Sequence, residues 1–421
     1  MSRDTPMPTT GAARAAARFA VFVLLATTAF GAVLLGAIGR GAGRSRRRPG
    51  ALRMLVAGTF YNVNWFRAHV YPLSQTRVLK TTYVVTDAPL FPVANVQYVC
   101  PSRRLRRLTG RNVARLLTLL YAAMRFAPDF VMGYHIMPNA LLALLAARLC
   151  GGRAIYQMTG GPTQIIGGGY LSENTLLRRL GGPSPLLARL MYFVVDQCDL
   201  VVVRGRKATQ FLRAQRVGRA VCEIPGSVDT ARFRPNGRER AYDLVMVARL
   251  IELKQPYAFI DVVRQIAVRQ PSVRAALVGD GPLSEPLREY ARKLGVERNV
   301  AFLGRIDHVE RVLAESKLFL LTSESEGLSI AMIEAMAAGL PVLAADVGDL
   351  GELLRPGENG AFVDPLDTPA TAQQVHAILG DADRLRALSK AARARAEEDY
   401  SIAAVARRWD ACLAGGVAPL N

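Results

Sequence analysis

Apolar and polar positions along this 421-residue chain recur in two registers. Short apolar runs alternate with longer stretches in which apolar residues return every three or four positions. The runs at 52–58 (LRMLVAG), 128–133 (PDFVMG), 154–158 (AIYQM) and 199–204 (DLVVVR) predict strands. Stretches 141–149 and 185–195 predict helices between them. The pattern restarts near residue 241. Strands are expected at 242–248 (YDLVMVA), 275–279 (AALVG), 300–303, 318–322 and 341–345, with helices at 256–268 and 283–294. A β-α-β rhythm of this kind predicts parallel sheets covered by helices on both faces.

Two such halves predict an α/β fold of two facing Rossmann-like domains with a ligand cleft between them. The Pro- and Gly-bearing stretch 233–240 (FRPNGRER) is the expected hinge. The expected limits are 51–236 for the first domain, 237–400 for the second and 401–414 for a last helix. The amino end differs. Residues 19–39 (FAVFVLLATTAFGAVLLGAIG) carry no charge, between Arg18 and Arg40. A run of that length reads as a transmembrane anchor, followed by a basic linker at 40–50. A cleaved signal peptide is the alternative, although its apolar core is usually shorter. Arg40, Arg44, Arg46, Arg47 and Arg48 outnumber Arg3, Arg14 and Arg18. The positive-inside rule then predicts a single-pass protein of the inner (cytoplasmic) membrane with cytoplasmic catalytic domains.

Net charge is +20, and all but six of the 54 basic residues are arginine. Such a charge suits nucleotide diphosphates or acidic lipid. No nucleic-acid-binding signature accompanies it, so nucleic acid is not an expected partner. The five cysteines are scattered without a CxxC pair, which reads as reduced thiols. His69, His308 and His376 form no ligand spacing, so no metal site is expected.

The segment 322–345 carries the first candidate chemistry. With the strand at 318–321 before it, it reads as a polar loop at 322–327 and a helix to about 338, with Ser329 as N-cap and Gly339 and Pro341 as the stop. Such a loop lies at the carboxyl edge of a parallel sheet, where open α/β sheets bind ligands. Free backbone N–H groups at the helix start suit a phosphate. Between 328 and 345 only Ser329 and Glu334 carry polar side chains. Glu334 would sit about 7–8 Å along the helix, near the ribose of a bound nucleotide diphosphate. Glu326, on the loop, would face a group beyond the diphosphate. The plainer reading makes both ordinary solvent-facing acids. Arg249 and Lys254 in VARLIELK (247–254) follow another predicted strand and could converge on one diphosphate. Hydrogen bonds of that kind contribute about 1.5–3 kcal/mol each. A solvated basic pair is the alternative.

Taken together, VARLIELK, LVGDGP (277–282), FLGRI (302–306), SEGLSIAMIEAMAAGLPV (325–342) and PGENGAFVDP (356–365) resemble, in order and spacing, retaining glycosyltransferases of family 4 with the GT-B fold. Glu326 and Glu334 match that family's E-x7-E motif, and IPGSVDTARFRP (224–235) resembles its interdomain segment. The resemblance implies that Arg249 and Lys254 hold the nucleotide diphosphate and that Glu334 binds the ribose. It implies that Glu326 contacts donor-sugar hydroxyls beside the backbone N–H groups of Gly327, Leu328 and Ser329. It further implies a last helix crossing back to the first domain, and a retaining, metal-independent reaction. The nucleotide sugar is then a donor substrate, and no separate cofactor is expected. The first-domain loop AGTFYNVNWFRAH (57–69) departs from the glycine-rich form common in the family.

His135 in GYHIMPNA matches a family histidine near the reacting centre. It could polarise the sugar or accept a proton from the acceptor; a core histidine is the plainer reading. Gly160–Gly161 and Gly167–Gly169 bracket a loop expected at the cleft. Asp381-Ala382-Asp383 resembles a metal motif of another fold, but reads as the cap of the helix that follows. Arg103, Arg107, Arg111 and Arg115 form one stripe if 101–117 is a single helix, which could rest on an anionic membrane; a solvated charged face is the alternative, and Thr109-Gly110 is a candidate helix break. The expected function is transfer of a sugar from a nucleotide-diphosphate sugar to a lipid-linked or cell-envelope glycan acceptor. The alternatives are a nucleotide-sugar epimerase on the same fold and a non-catalytic nucleotide-sugar-binding scaffold.

Overall fold

The computed structural model describes residues 11–39, 51–58, 60, 63–170, 177, 182–237 and 239–415. The basic linker expected at 40–50 lies outside them. The described residues divide into two compact units, those within 1–66, 70–224 and 406–421 and those within 67–69 and 225–405.

The first unit is built on a seven-stranded parallel sheet: β1 (Leu52–Ala57), β2 (Leu79–Val85), β3 (Val96–Val99), β4 (Phe130–Tyr134), β5 (Arg153–Met158), β6 (Leu200–Val203) and β7 (Val221–Glu223). Their spatial order is β3-β2-β1-β4-β5-β6-β7. The second unit holds a six-stranded parallel sheet of β8 (Tyr242–Val247), β9 (Ala275–Val278), β10 (Val300–Gly304), β11 (Ser316–Leu321), β12 (Val342–Ala344) and β13 (Gly360–Phe362). Its order is β10-β9-β8-β11-β12-β13. The interior strands β4, β6 and β9 are buried at every position, which is why they read as continuous apolar runs. In each sheet the chain builds outward on one side of the first strand, then returns to build on the other. The order therefore reverses between β1 and β4, and again between β8 and β11.

The amino-terminal segment corrects an expectation. A helix does form, Gly11–Gly39. Among the described residues, however, no helix is long and apolar enough to cross a membrane, so the transmembrane reading of 19–39 is not supported. The helix instead packs along Leu141–Cys150. Ala29 and Ala32 are fully buried there, with Phe22, Leu25 and Ala26 packed beside them. Leu141–Cys150 (LLALLAARLC) is apolar nearly all round and needs cover on every side. The sheet, the helix Arg111–Phe126 and the amino-terminal helix supply it. Small residues on the docking face let the two backbones approach closely.

The arginines at 101–117 do not form one stripe, because the break falls at the Thr109-Gly110 candidate. Gly110 (φ 77°, ψ 164°) breaks the segment into Arg103–Thr109 and Arg111–Phe126. Arg115 leaves the stripe to pair with Asp87, its Nε 2.8 Å from Oδ1. The second helix also exposes an apolar row, Val113, Leu117, Tyr121 and Met124, at helical spacing, with Arg111, Asn112 and Arg125 exposed at its ends.

From Ala406 onward the carboxyl-terminal residues belong to the first unit. Asp410, in the helix Ile402–Leu413, accepts from the backbone N–H groups of Arg77 (2.8 Å) and Val78 (3.1 Å). Both tryptophans, Trp65 and Trp409, lie in this unit. Asp410→Ala is expected to lower the unfolding midpoint followed by tryptophan fluorescence, by about 2 kcal/mol for the lost charge-assisted hydrogen bonds. An unchanged midpoint would show that water replaces the carboxylate at no cost.

Candidate functional site

In the second unit, the loop after β8 carries Arg249 and Lys254, and the loop after β11 carries Glu326. Because β8 and β11 are neighbours at the order reversal, segments about seventy residues apart in sequence open on one point at the carboxyl edge of the sheet. Crevices at such reversals are where open α/β sheets bind ligands. Lys254 Nζ lies 2.7 Å from Glu326 Oε1, and both side chains are largely buried. Ser323 Oγ donates to the same oxygen at 2.8 Å. Thr322 Oγ1 reaches the carbonyls of Lys254 (3.0 Å) and Gln255 (2.9 Å), and Glu324 N–H donates to Leu253 O at 3.0 Å. The two loops are thus tied together along their length. Arg249 is exposed at the start of the first loop.

Glycines set how closely the surrounding loops approach. Gly279, in LVGDGP, has φ +139°, and a Cβ there would lie 1.7 Å from Ala248 O. Gly348 has φ +56°, and its Cβ would lie 1.6 Å from Glu326 O. No other residue fits at either place. Leu250 N–H then donates to Asp280 O (3.0 Å), fixing the Arg249 loop to its neighbour.

Ser329 caps the helix Ile330–Ala337, its side chain accepting from Met332 N–H. Gly327, Leu328 and Ser329 are the residues that lead into that helix. Glu334 is buried at 6 % exposure, so it is not a solvent-facing acid. Burial pushes its carboxyl up to about 8; the positive charge of Arg232 opposes the rise and the Glu310 carboxylate adds to it. Arg232 and Glu310 form an ion pair at 2.8 Å, and His308 Nδ1 lies 3.0 Å from Glu310. The structure therefore brings Lys254 to Glu326, and sets Glu334 among a different group of charges.

His135 lies in the first unit, directly after β4 at that sheet's own order reversal. Its backbone (φ 62°, ψ 146°) is strained for a residue with a Cβ. Its Nδ1 is 2.6 Å from Gln164 Nε2 and 3.3 Å from Thr159 Oγ1. The Trp65 ring stacks beside the imidazole at 6.5 Å and 17°. Gly160–Gly161 and Gly167–Gly169 flank Gln164 on the loop after β5. Asp381 caps the helix Ala382–Tyr400 by accepting from Asp383 and Arg384 N–H, as the capping reading expects.

A family model described as glycosyl transferases group 1 matches residues 227–395. A GDP-mannose-dependent alpha-(1-6)-phosphatidylinositol monomannoside mannosyltransferase of Mycolicibacterium smegmatis is 31% identical over 278 residues, 61% of this chain and 68% of the relative. The chain belongs to the glycosyl transferases group 1 family. This glycosyltransferase is also 29% identical over 237 residues to an exopolysaccharide phosphotransferase of Streptomyces coelicolor, covering 55% of this chain but only 24% of that protein's length. Among solved structures, Anabaena HepE in complex with UDP and glucose superposes with a TM-score of 0.67 at 17% identity, covering 87% of this chain and all of that one. The likeness shows a shared fold, with two parallel-sheet α/β domains of GT-B type.

Sequence reading missed Arg232 and Glu310, whose charges act on Glu334, and Thr159 and Gln164, which hold His135. Only spatial convergence marks them. Glu334 yields a pH prediction. Its folded-state pKa, about 8, lies above the ordinary 4.5, so the folded protein holds a proton that the unfolded chain releases. Its contribution to stability is present below pH 4.5 and is lost as pH rises to about 8. Denaturant midpoints across that range should fall less steeply in Glu334→Gln than in the wild type. Equal slopes would show that Glu334 is ionised in the folded state.

Proposed function

We propose that this glycosyltransferase moves a sugar from a nucleotide-diphosphate sugar to a lipid-linked or cell-envelope glycan acceptor at the cytoplasmic face of a membrane. The reaction retains anomeric configuration and needs no metal. The observation that carries the reading is the Lys254–Glu326 pair at the β8/β11 reversal. Arg249 and Lys254 bind the diphosphate and take up the charge it gains on leaving, which is the stabilisation a metal would otherwise provide. The backbone N–H groups of Gly327, Leu328 and Ser329 receive phosphate or sugar oxygens at the helix start. Glu326 accepts from donor-sugar hydroxyls. Glu334 accepts from the ribose, and its raised pKa leaves it the choice of donating one hydrogen bond and accepting another. His135 contacts the reacting sugar. Similar proteins support a nucleotide donor: the M. smegmatis relative is GDP-mannose-dependent, and the Anabaena structure holds UDP and glucose.

Membrane contact is supported by the outward stripe Val113, Leu117, Tyr121 and Met124, together with exposed Leu108. Exposed Arg103, Arg104, Arg107 and Arg111 flank it, and neither helix carries an acid. Apolar residues would enter the headgroup layer while arginines meet anionic lipid.

Full-length protein incubated with a panel of nucleotide sugars and membrane extract should release nucleotide diphosphate from one donor. Glu326→Ala and Arg249→Ala should each lose roughly 100-fold in turnover. Tight nucleotide-sugar binding without turnover in the wild type would refute catalysis and leave a binding protein. Separately, Leu117→Glu with Tyr121→Glu should abolish co-sedimentation with anionic vesicles. Undiminished sedimentation would remove the membrane from the reading.

A further inference from the structure

The His135 imidazole is held by a chain of three side chains in the first unit. Tyr156 is fully buried on β5, and burial keeps its phenol protonated well above the usual tyrosine range. Its hydroxyl donates to Gln164 Oε1 at 2.8 Å, the one acceptor it has among the described residues. That bond sets the amide: turning it over would leave the buried phenol proton without an acceptor. Gln164 Nε2 therefore faces His135 Nδ1, at 2.6 Å. An amide NH₂ has hydrogens to give and no lone pair to receive, so Nδ1 must be the bare nitrogen. In a neutral imidazole the proton then sits on Nε2.

The surroundings are built for this arrangement. Gln164 Nε2 also lies 3.5 Å from Thr159 Oγ1, leaving its second hydrogen a partner. A Cβ on Gly160 would lie 2.8 Å from Gln164 Nε2, so the glycine clears the space that the amide occupies. Arg204 Nη1 donates to Thr159 O at 3.1 Å and steadies the loop. The Trp65 ring lies nearly parallel to the imidazole on one side.

We propose that Gln164 and Tyr156 are positioning residues that fix His135 as its Nε2–H tautomer, so that it donates a hydrogen bond to a sugar oxygen and takes no proton from the acceptor. The proposal rests on the reading of His135 as a residue that contacts the reacting sugar. Of the two roles open to that histidine, polarising the sugar or accepting a proton, it selects the first.

The test is long-range proton–nitrogen NMR on the full-length protein with labelled histidine. His135→Gln assigns the His135 signals among the four histidines. A bare Nδ1 and a protonated Nε2 in the wild type are expected; a protonated Nδ1 would overturn the proposal whatever the activity. Tyr156→Phe frees the amide to turn and should raise the Nδ1–H population. An unchanged tautomer would remove Tyr156 from the chain. Gln164→Glu offers Nδ1 an acceptor and should switch the tautomer, with kcat falling roughly tenfold or more and donor KM little changed. A switched tautomer with wild-type kcat would overturn the functional part. Full turnover in His135→Gln would instead refute the reading of His135 as a sugar contact and leave the NMR result standing.

Discussion

The second-unit site depends on backbone segments lying closer together than any side chain allows. The carbonyls of Ala248 and Glu326 occupy the space where a Cβ on Gly279 or Gly348 would stand. Gly281 meets Leu250 O in the same way. Because these approaches are fixed, the loops that follow β8, β9, β11 and β12 form one layer, and Lys254 meets Glu326 without either loop being long. The motif glycines in this chain are thus the residues that let the charged ones converge. Loosening one approach would displace Arg249 or Glu326 without touching either side chain.

Two glutamates eight positions apart end in unlike surroundings. Glu326 is bound by a lysine and a serine at hydrogen-bond distance, an arrangement that suits a carboxylate. Glu334 is enclosed by apolar helix neighbours, with a positive and a negative group acting on it in opposite directions. One motif therefore supplies a charged acceptor and a group that can hold its proton. This division follows from the fold: the first lies on a loop at the sheet edge, the second inside a helix that faces the core.

Much of this architecture was legible in the residues. Long apolar runs such as LVVV and AALV read as interior strands because both their faces are covered. Ser329 and Asp381 read as caps because their side chains serve backbone groups close in sequence. The strands β2, β3, β7 and β13 escaped notice. β2 (LKTTYVV) mixes polar with apolar positions, and the other three are short and only partly buried. The packing of the amino-terminal helix was not legible, because its hydrophobicity is the same whether lipid or protein covers it; Ala29 and Ala32 are the positions buried by that packing. Gln164 could not be found, because its importance comes from Tyr156 and His135, which lie on other segments.

The amino-terminal helix has a consequence for handling the protein. It packs along the apolar helix Leu141–Cys150, and presents Phe19, Leu24 and Phe30 on its own outer side. A chain shortened to begin after it would uncover a leucine-rich ridge at the first unit's surface. Keeping it leaves exposed phenylalanines at almost the same place. Either form offers water an apolar face, so the first unit is expected to be adhesive with or without this helix.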